Sequence, residues 1–260
     1  MKWRLGVVGS PIEHSLSPQL HEAGLKIAGL KGSSTRVELR ESDAKKLAKW
    51  MGKDYDALSV TMPLKRVALS YCAELDEVAS RVAAVNSLLW RDARIEGANT
   101  DGAGFLAALR AAFGVSVDNL HVVVLGSGGA ARSIVDALVA AGVSSVAVHA
   151  RSNDQVEDLS GRYANVYGHM LVYRPVDLIV NTLPEAGRNN EAAVIQGVTP
   201  ETIAVDITYN LKVSAWRTMY QAAGCRTQNG LGMLSYQAAL QMSWWFDTEI
   251  DGAQLLKVIS

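Results

Sequence analysis

The segment from His121 to Arg132 constrains the fold of this chain more than any other stretch. Its apolar residues Val122 to Leu125 have the composition of a short strand buried on both faces. A glycine cluster ends this run, and an amphipathic helical pattern follows it. Strand, glycine turn and helix in this order predict a dinucleotide-binding unit, because the free N–H groups that begin the helix favour a phosphate. The turn residues expected to bind the cofactor are Gly126, Ser127, Gly128, Gly129 and Ala130.

The second strand of this unit carries the residue that selects the cofactor. The stretch Ser145 to Ser152 predicts this strand and its end. An NAD-binding unit usually has Asp or Glu here to bind the ribose hydroxyls. This chain instead has Arg151, followed by Ser152, and no acidic residue before Asp154. Because arginine can pair with a 2′-phosphate through two hydrogen bonds, Arg151 and Ser152 predict NADP(H) as the cofactor.

Composition limits the remaining possibilities. At 260 residues and 49% hydrophobic content, about two packed domains are expected. A net charge of −1 without a basic block argues against nucleic acid and anionic membranes as partners. No apolar run approaches the roughly 18 to 20 residues that span a bilayer. The first residues lead directly into a strand pattern, and Cys72 and Cys225 lack motif spacing, so we expect a cytoplasmic protein with reduced thiols. The five histidines are scattered and predict no metal site.

The N-terminal part alternates strand and helix patterns, which favours an open, mostly parallel sheet. The predicted elements are strands at Leu5–Val8, Thr35–Leu39 and from Asp56, helices from Leu20 to Ala28 and from Ser42 to Met51, and Ser17 as an N-cap before Pro18. Ligands of such sheets bind outside the carboxyl ends of the strands. Four polar residues follow the first and third strands and are therefore site candidates: Ser15, Ser17, Thr61 and Lys65.

Two further candidates flank a predicted hairpin, with strands at Ser87–Trp90 and Arg94–Glu96. Asn86 precedes it, and Asp101 opens the helix that follows it. Taken singly, Asn86 could be an ordinary turn residue, Asp101 a helix cap and Lys65 a surface lysine. Gln237, on an otherwise apolar helix, could likewise occupy an exposed face. From the residues alone, these alternatives remain open.

Six motifs together resemble the shikimate dehydrogenase family, in order along nearly the whole chain. They are Ser15-Leu-Ser-Pro18, Val60-Thr-Met-Pro-Leu-Lys65, Ala84-Val-Asn86, Asn99-Thr-Asp-Gly-Ala-Gly104, Gly126-Ser-Gly-Gly-Ala130, and Gly230-Leu-Gly-Met-Leu234 with Gln237. The resemblance implies an enzyme that reduces 3-dehydroshikimate to shikimate with NADPH, on the route through chorismate to the aromatic amino acids. Shikimate/quinate dehydrogenases and relatives that act on an aminoshikimate share these motifs and stay as alternatives, with a non-catalytic NADP-binding regulator as a remote one.

The resemblance also implies roles for individual residues. Lys65 matches the catalytic lysine, and we expect it to act with Asp101. The residues that match substrate-binding positions are Ser15, Ser17, Thr61, Lys65, Asn86, Asp101, Tyr209 and Gln237. Glu77, Ile207 and Gly230 match positions near the cofactor. Departures are Ser59 in place of a common asparagine, Ile207 in place of a bulkier methionine, and altered stretches at 181–185 and 210–214.

A lysine suits this chemistry on physical grounds as well. Ketone reduction needs a hydride on carbon and a proton on oxygen. A lysine side chain, with an ordinary pKa of about 10.4, carries that proton at pH 7. Oxidation needs the neutral amine instead, so either desolvation favours that form or oxidation speeds up at alkaline pH.

The sequence therefore predicts an α/β protein with two domains. Residues 1–101 with 233–260 would form an open, mostly parallel α/β substrate domain, to which the C-terminal helices return. Residues 102–232 would form a Rossmann domain that binds NADP(H). The aromatic run Trp244 to Phe246 would pack on the first domain or permit a homodimer.

Overall fold

The structure, a computed structural model, describes residues 2–168, 175–184, 197–209 and 214–260. Contacts within the chain divide it into two compact units. The first unit comprises Met1–Ala107 with Leu234–Ser260, and the second comprises Ala108–Met233. Residues 185 and 210–213, which belong to stretches where the sequence departs from the family pattern, lie outside the described residues.

The first unit is built around a six-stranded sheet. Its strands are β1 (Lys2–Gly9), β2 (Lys31–Glu38), β3 (Ala57–Val60), β4 (Glu74–Leu75), β5 (Ser87–Arg91) and β6 (Arg94–Ala98), in the order β2-β1-β3-β5-β6-β4. β1 pairs in parallel with β2 and β3, and β4 with β6, whereas β5 is antiparallel to β3 and β6. Its helices are α1 (Ser17–Ile27), α2 (Lys46–Trp50), α3 (Glu77–Val82), the first half of α4 (Asp101–Phe113), most of α8 (Leu231–Phe246), and α9 (Gly252–Ile259).

Strand β3 shows why this sheet buries both of its faces. Leu58 and Val60 pack with α2 in one apolar cluster, while Ala57 packs with α1, α8 and α9 in another. Successive side chains of a strand point to opposite faces, so Ser59 shares its face with Ala57. In α8, Trp245 and Phe246 belong to the same cluster as Ala57. These aromatic side chains therefore pack within the first unit.

The second unit contains a sheet of six parallel strands. They are β7 (His121–Leu125), β8 (Ser145–His149), β9 (Val166–Gly168), β10 (Val176–Asn181), β11 (Val198–Asp206) and β12 (Arg226–Gln228), with helices α5 (Gly129–Ala140), α6 (Asn153–Ser160) and α7 (Ala215–Ala222). The order β9-β8-β7-β10-β11-β12 is the 3-2-1-4-5-6 arrangement of a Rossmann fold. The predicted α/β class and Rossmann unit are confirmed.

Several local predictions were wrong. Helix α1 begins at Ser17 itself with Leu16 at the N-cap and no side-chain cap, because Pro18 fits the first turn at either register. The helix predicted from Ser42 to Met51 is a 3₁₀ turn at Glu41–Asp43 followed by the short α2. The hairpin was predicted correctly, and its turn residues Asp92 and Ala93 have φ of 50° and 60°.

Gly104 sets the distance between α4 and α8 within the first unit. A Cβ at this position would lie 2.5 Å from the backbone nitrogen of Gln237 and 2.6 Å from its Cα. Real Cβ atoms do not approach backbone so closely, so only glycine fits. The glycine thereby allows the helix that begins with Asp101 to lie directly against the turn that carries Gln237.

We expect Gly104→Ala to destabilise the protein by about 1 to 3 kcal/mol through overpacking. Helix propensity alone would favour alanine by about 1 kcal/mol, so the sign of the change distinguishes the two effects. Denaturant unfolding measures it. Gly114→Ala is the control, because no atom of the described residues would lie within 4 Å of its new Cβ, and its expected cost comes from a φ of +67°. A more stable Gly104→Ala variant would contradict the close approach.

Candidate functional site

The loops that carry the predicted substrate residues meet at one edge of the sheet of the first unit. β1 and β3 are parallel with Val8 opposite Val60, so both strands end at this edge. The Ser10 amide donates to the Met62 carbonyl at 2.9 Å, which joins the two loops that follow. The antiparallel β5 starts at the same edge, where the Val60 amide donates to the carbonyl of Asn86 at 2.7 Å.

Lys65 and Asp101 form an ion pair at this edge. Lys65 Nζ lies 2.5 Å from Asp101 Oδ2, and the two side chains are 16% and 4% exposed. The Lys65 carbonyl accepts from the Val85 amide at 2.8 Å, and the Asp101 amide donates to Asn99 Oδ1 at 3.1 Å. A nearly buried carboxylate is costly without a partner, so this geometry makes the two groups depend on each other.

Asn86 holds the other carboxylate oxygen. Its Nδ2 donates to Asp101 Oδ1 at 2.9 Å, and also lies 3.0 Å from Thr100 Oγ1 and 3.1 Å from Gln237 Oε1. Its Oδ1 accepts from the Thr100 amide at 2.9 Å, which fixes the orientation of the amide group. Asn86 is 1% exposed. Its side chain therefore links Thr100, Asp101 and Gln237, rather than serving only as a turn residue.

Gln237 lies on the buried face of α8, with an exposure of 7%. This excludes the alternative that it occupies an exposed helix face. Its Oε1 accepts from Asn86 and, at 2.6 Å, from Gln241 Nε2. Its Nε2 donates to the carbonyl of Leu234 at 2.8 Å. The structure thus brings Lys65, Asp101, Asn86 and Gln237 into one hydrogen-bonded group.

Ser15 is buried in the loop that follows β1, and Ser17 is buried at the start of α1. The Ser17 amide donates to Ser15 Oγ at 3.3 Å, so the two residues lie side by side. Arg36, which was not among the predicted site residues, donates from Nε to the Ser15 carbonyl at 2.7 Å. The signal was the polar face of the edge strand β2, on which Ser34, Arg36 and Glu38 alternate. Thr61 begins the neighbouring loop, and its amide donates to the Val8 carbonyl.

A second set of buried polar residues contacts Gln237 through Gln241. The sequence did not predict that these residues contact one another. His21 Nε2 lies 2.9 Å from Ser59 Oγ, and Ser59 Oγ donates to Gln241 Oε1 at 2.6 Å. Ser59, which replaces a common asparagine, therefore has a buried contact with the side-chain amide of Gln241. His21 is fully buried, and burial lowers its pKa to about 3.

The glycine turn of the second unit fits a phosphate group. Gly126 follows β7 with φ of +112°, and its amide donates to the His149 carbonyl at 2.8 Å. Gly128 occupies the N-cap of α5, where no side chain caps the helix. A Cβ at Gly128 would meet no atom of the described residues within 4 Å, so among these residues the backbone there borders open space. Uncapped N–H groups beside open space are suited to a pyrophosphate.

The other predicted cofactor residues have different surroundings. Ser127 Oγ donates to Gln155 Oε1 at 3.0 Å, and Ser152 Oγ accepts from the Gln155 amide at 3.4 Å as the N-cap of α6. Both hydroxyls thus have protein partners. Arg151 lies two residues after the end of β8 and is exposed, with no hydrogen bond or ion pair to any other described residue. Its guanidinium remains available to a ligand.

Ile207 and Gly230 are neighbours in the second unit. A Cβ at Gly230 would overlap the carbonyl of Ile207, whose amide donates to the Asn181 carbonyl at 3.0 Å. Tyr209 lies two residues further along this loop and is partly buried. Glu77 lies in the first unit, exposed at the start of α3, and its role toward the cofactor stays a prediction.

Metal sites and membrane-spanning helices were also considered for the described ranges. Within them, no three His, Cys, Asp or Glu side chains are grouped to hold a metal ion. No helix in these ranges is both long and apolar enough to cross a membrane.

Comparison with known proteins decides the family. Residues 7–88 match the model of the shikimate dehydrogenase substrate binding domain. The shikimate dehydrogenase (NADP(+)) of Exiguobacterium sp. strain AT1b is 33% identical over 248 residues, which cover 95% of this chain and 94% of the relative. This chain belongs to the shikimate dehydrogenase family. The resemblance inferred from the six motifs is confirmed.

Two solved structures show the breadth of the shared fold. The shikimate 5-dehydrogenase of Thermus thermophilus, in complex with NADP(H) and shikimate, is 30% identical with a TM-score of 0.87, and 98% of each chain is covered. The ligand-free 5-ketofructose reductase of Gluconobacter sp. strain CHM43 is 25% identical with a TM-score of 0.82, covering 99% of this chain and 98% of that one. Reductases with different named substrates therefore share this architecture.

The buried His21 makes a prediction about pH and stability. Its folded pKa of about 3 lies below the unfolded value of about 6.5, so only the unfolded chain gains this proton between these values. The contribution of this group is thus intact above pH 6.5 and is lost as the pH falls toward 3. At pH 5 the expected loss is about 2 kcal/mol.

Urea unfolding at pH 7 and pH 5 measures this loss. It should be smaller in His21→Asn than in wild type. The matched control is His14→Asn, which removes an exposed histidine instead. An equal loss of unfolding free energy in the two variants would contradict the assignment to His21.

Proposed function

We propose that this protein catalyses the reversible NADPH-dependent reduction of 3-dehydroshikimate to shikimate in aromatic amino acid biosynthesis, in the cytoplasm. Family membership supports the reaction type. The observation that carries the proposal is the shielded Lys65–Asp101 pair at 2.5 Å, held at the ligand-binding edge of its sheet by Asn86. A proton donor and a carboxylate in this arrangement suit the reduction of a ketone flanked by hydroxyls.

In the proposed mechanism Lys65 gives its proton to the carbonyl oxygen of the substrate. The hydride for the carbonyl carbon would come from reduced nicotinamide when this cofactor is bound. Asp101 keeps the ammonium in place through Oδ2 and cannot rotate away, since Asn86 holds Oδ1. In the oxidative direction the neutral amine of Lys65 takes the hydroxyl proton, and Asp101 orients both groups.

Residues at the same edge of the sheet are proposed to bind the substrate. Ser15 and Ser17, beside the cation of Arg36, suit the ring carboxylate. Gln237 suits a ring hydroxyl, because Nε2 has a second N–H besides the one donated to Leu234. Thr61, Asn86 and Tyr209 complete the proposed set of substrate-binding residues, because they match substrate-binding positions of the family.

For the cofactor, we assign residues 102–232 as the NADP(H) domain and residues 1–101 with 233–260 as the substrate domain. The pyrophosphate would lie on the N-terminus of α5, and the 2′-phosphate would pair with Arg151. The proposed cofactor residues are Gly126, Ser127, Gly128, Gly129, Ala130, Arg151, Ser152, Ile207, Gly230 and Glu77.

Direct assay tests the activity. Shikimate with NADP⁺ should give rapid formation of reduced nicotinamide, while quinate and NAD⁺ should give little. A strong quinate signal would favour a shikimate/quinate dehydrogenase. Cofactor binding without turnover at neutral and alkaline pH would favour a non-catalytic protein.

We expect Lys65→Ala to lower kcat by about 10² to 10⁴-fold, because the reaction loses its proton donor and acceptor. The Kd of NADP⁺ should stay within about twofold. Arg66→Ala, which removes an equal charge from the adjacent exposed position, is the control and should keep the activity. Steady-state kinetics and a binding titration measure both quantities. Unchanged turnover in Lys65→Ala would refute the role of this lysine.

We expect Arg151→Ala to raise the KM for NADP⁺ by about 10-fold or more, since a charge-assisted contact contributes about 1.5 to 3 kcal/mol. The KM for NAD⁺, which lacks the 2′-phosphate, should change little. Arg110→Ala removes another exposed arginine of the second unit and serves as the control. Equal effects on both cofactors would show that Arg151 does not select between them.

A further inference from the structure

We propose that His21, Ser59 and Gln241 form a buried positioning relay that orients the side-chain amide of Gln237, so that this amide can only donate to the substrate. All three residues lie in the first unit and act through Gln237 without contacting the substrate themselves. The proposal rests on the proposed function, because it assigns a substrate contact to Gln237.

A backbone carbonyl fixes the orientation of Gln241. The side-chain atom 3.1 Å from the Asn86 carbonyl must be a donor and is therefore Nε2. The second N–H of this nitrogen is donated to Gln237 Oε1 at 2.6 Å. Oε1 of Gln241 consequently faces Ser59, from which it accepts a hydrogen bond at 2.6 Å.

The direction of the remaining bonds follows from this orientation. The hydroxyl of Ser59 has a single hydrogen, and Gln241 takes it, so Ser59 Oγ must accept from His21 Nε2 at 2.9 Å. With Nε2 protonated, Nδ1 of the neutral ring accepts from Ser34 Oγ at 2.8 Å. The hydrogen bonds therefore all run in one direction, from the donor Ser34 through His21, Ser59 and Gln241 to the acceptor Gln237.

The relay leaves Gln237 one possible orientation. Its Oε1 accepts from both Asn86 and Gln241, and one N–H of Nε2 is donated to the Leu234 carbonyl. A flipped amide would place an oxygen against the Leu234 carbonyl and an NH₂ group against two donors. Its second N–H is thus kept for a ligand oxygen. The adjoining Oε1 shares the donor Asn86 Nδ2 with Asp101 Oδ1.

Burial makes the relay rigid. His21, Ser59 and Gln241 are 0%, 5% and 1% exposed, so their bonds do not compete with water. The ring of Trp245 lies against His21 edge-on, with ring centroids 5.2 Å apart. Gln237, Gln241 and Trp245 follow one another at four-residue intervals, which places them on one face of α8.

A double-mutant cycle tests whether Gln241 acts through Gln237. Gln241→Met keeps the length of the side chain but cannot form the hydrogen bonds. We expect it to raise the KM for shikimate by about 5- to 15-fold, with the KM for NADP⁺ within about twofold. The double variant Gln237→Ala/Gln241→Met should be no worse than Gln237→Ala, because the relay then has nothing to orient. Independent, multiplicative losses in kcat/KM would overturn the proposal.

Ser59 supplies a matched pair of variants. Ser59→Thr keeps the hydroxyl and should retain the wild-type KM for shikimate, whereas Ser59→Ala should raise it as Gln241→Met does. Should Gln241→Met fail to fold, Ser59→Ala takes its place in the cycle with Gln237→Ala. An equal KM in the two Ser59 variants would contradict a role for the hydroxyl.

The tautomer of His21 provides a readout that needs no activity. Nitrogen-15 NMR of the wild-type protein at pH 7 should show a neutral ring with hydrogen on Nε2. Hydrogen on Nδ1, or a charged ring, would overturn the relay whatever the enzyme catalyses. Absent turnover of shikimate by wild-type protein would instead reject the proposed function and leave the tautomer to decide the relay.

Discussion

The buried carboxylate of Asp101 is the group on which the rest of the site depends. Removing a carboxylate from water costs several kcal/mol unless both of its oxygens find partners. Lys65 binds one oxygen and Asn86 the other, and these partners come from the ends of different strands. These strand ends meet at one edge of the sheet of the first unit, which brings Lys65 and Asn86 to Asp101. The fold therefore meets an electrostatic requirement, and the same arrangement places a proton carrier next to a fixed acceptor.

Much of this architecture could be predicted because its signals are local. A buried strand, a glycine turn and a helix are adjacent in sequence, so the segment from His121 predicts the Rossmann unit on its own. The Leu16–Ser17 boundary of α1 and the 3₁₀ turn at Glu41–Asp43 could not be predicted as reliably. Such ends differ by a few tenths of a kcal/mol in local preference, and tertiary packing decides between them.

Without the family resemblance, site residues could be predicted only next to the ends of strands. Lys65 and Asp101 follow strands, whereas the Ser59–Gln241 contact joins residues 182 positions apart and His21–Ser59 joins residues 38 apart. Neither spacing has a sequence signature. The contacts depend on which face of β3 bears Ser59, and on the helix that covers that face. The sequence pattern predicts that successive side chains of β3 point to opposite faces. It does not predict which residue of the covering helix contacts Ser59.

The exchange at Ser59 illustrates how such a site can change while its chemistry stays the same. A serine is shorter than the asparagine expected from the family resemblance, and it brings no amide of its own. Gln241 reaches from α8 to supply one, and its Nε2 bonds to Gln237 and to the Asn86 backbone. The two donors to Gln237 Oε1 thus come from Asn86 at the start of β5 and from Gln241 on α8. Because an unpaired buried amide costs about 1 to 3 kcal/mol, Ser59 and Gln241 are coupled, and a change at either position must be matched at the other.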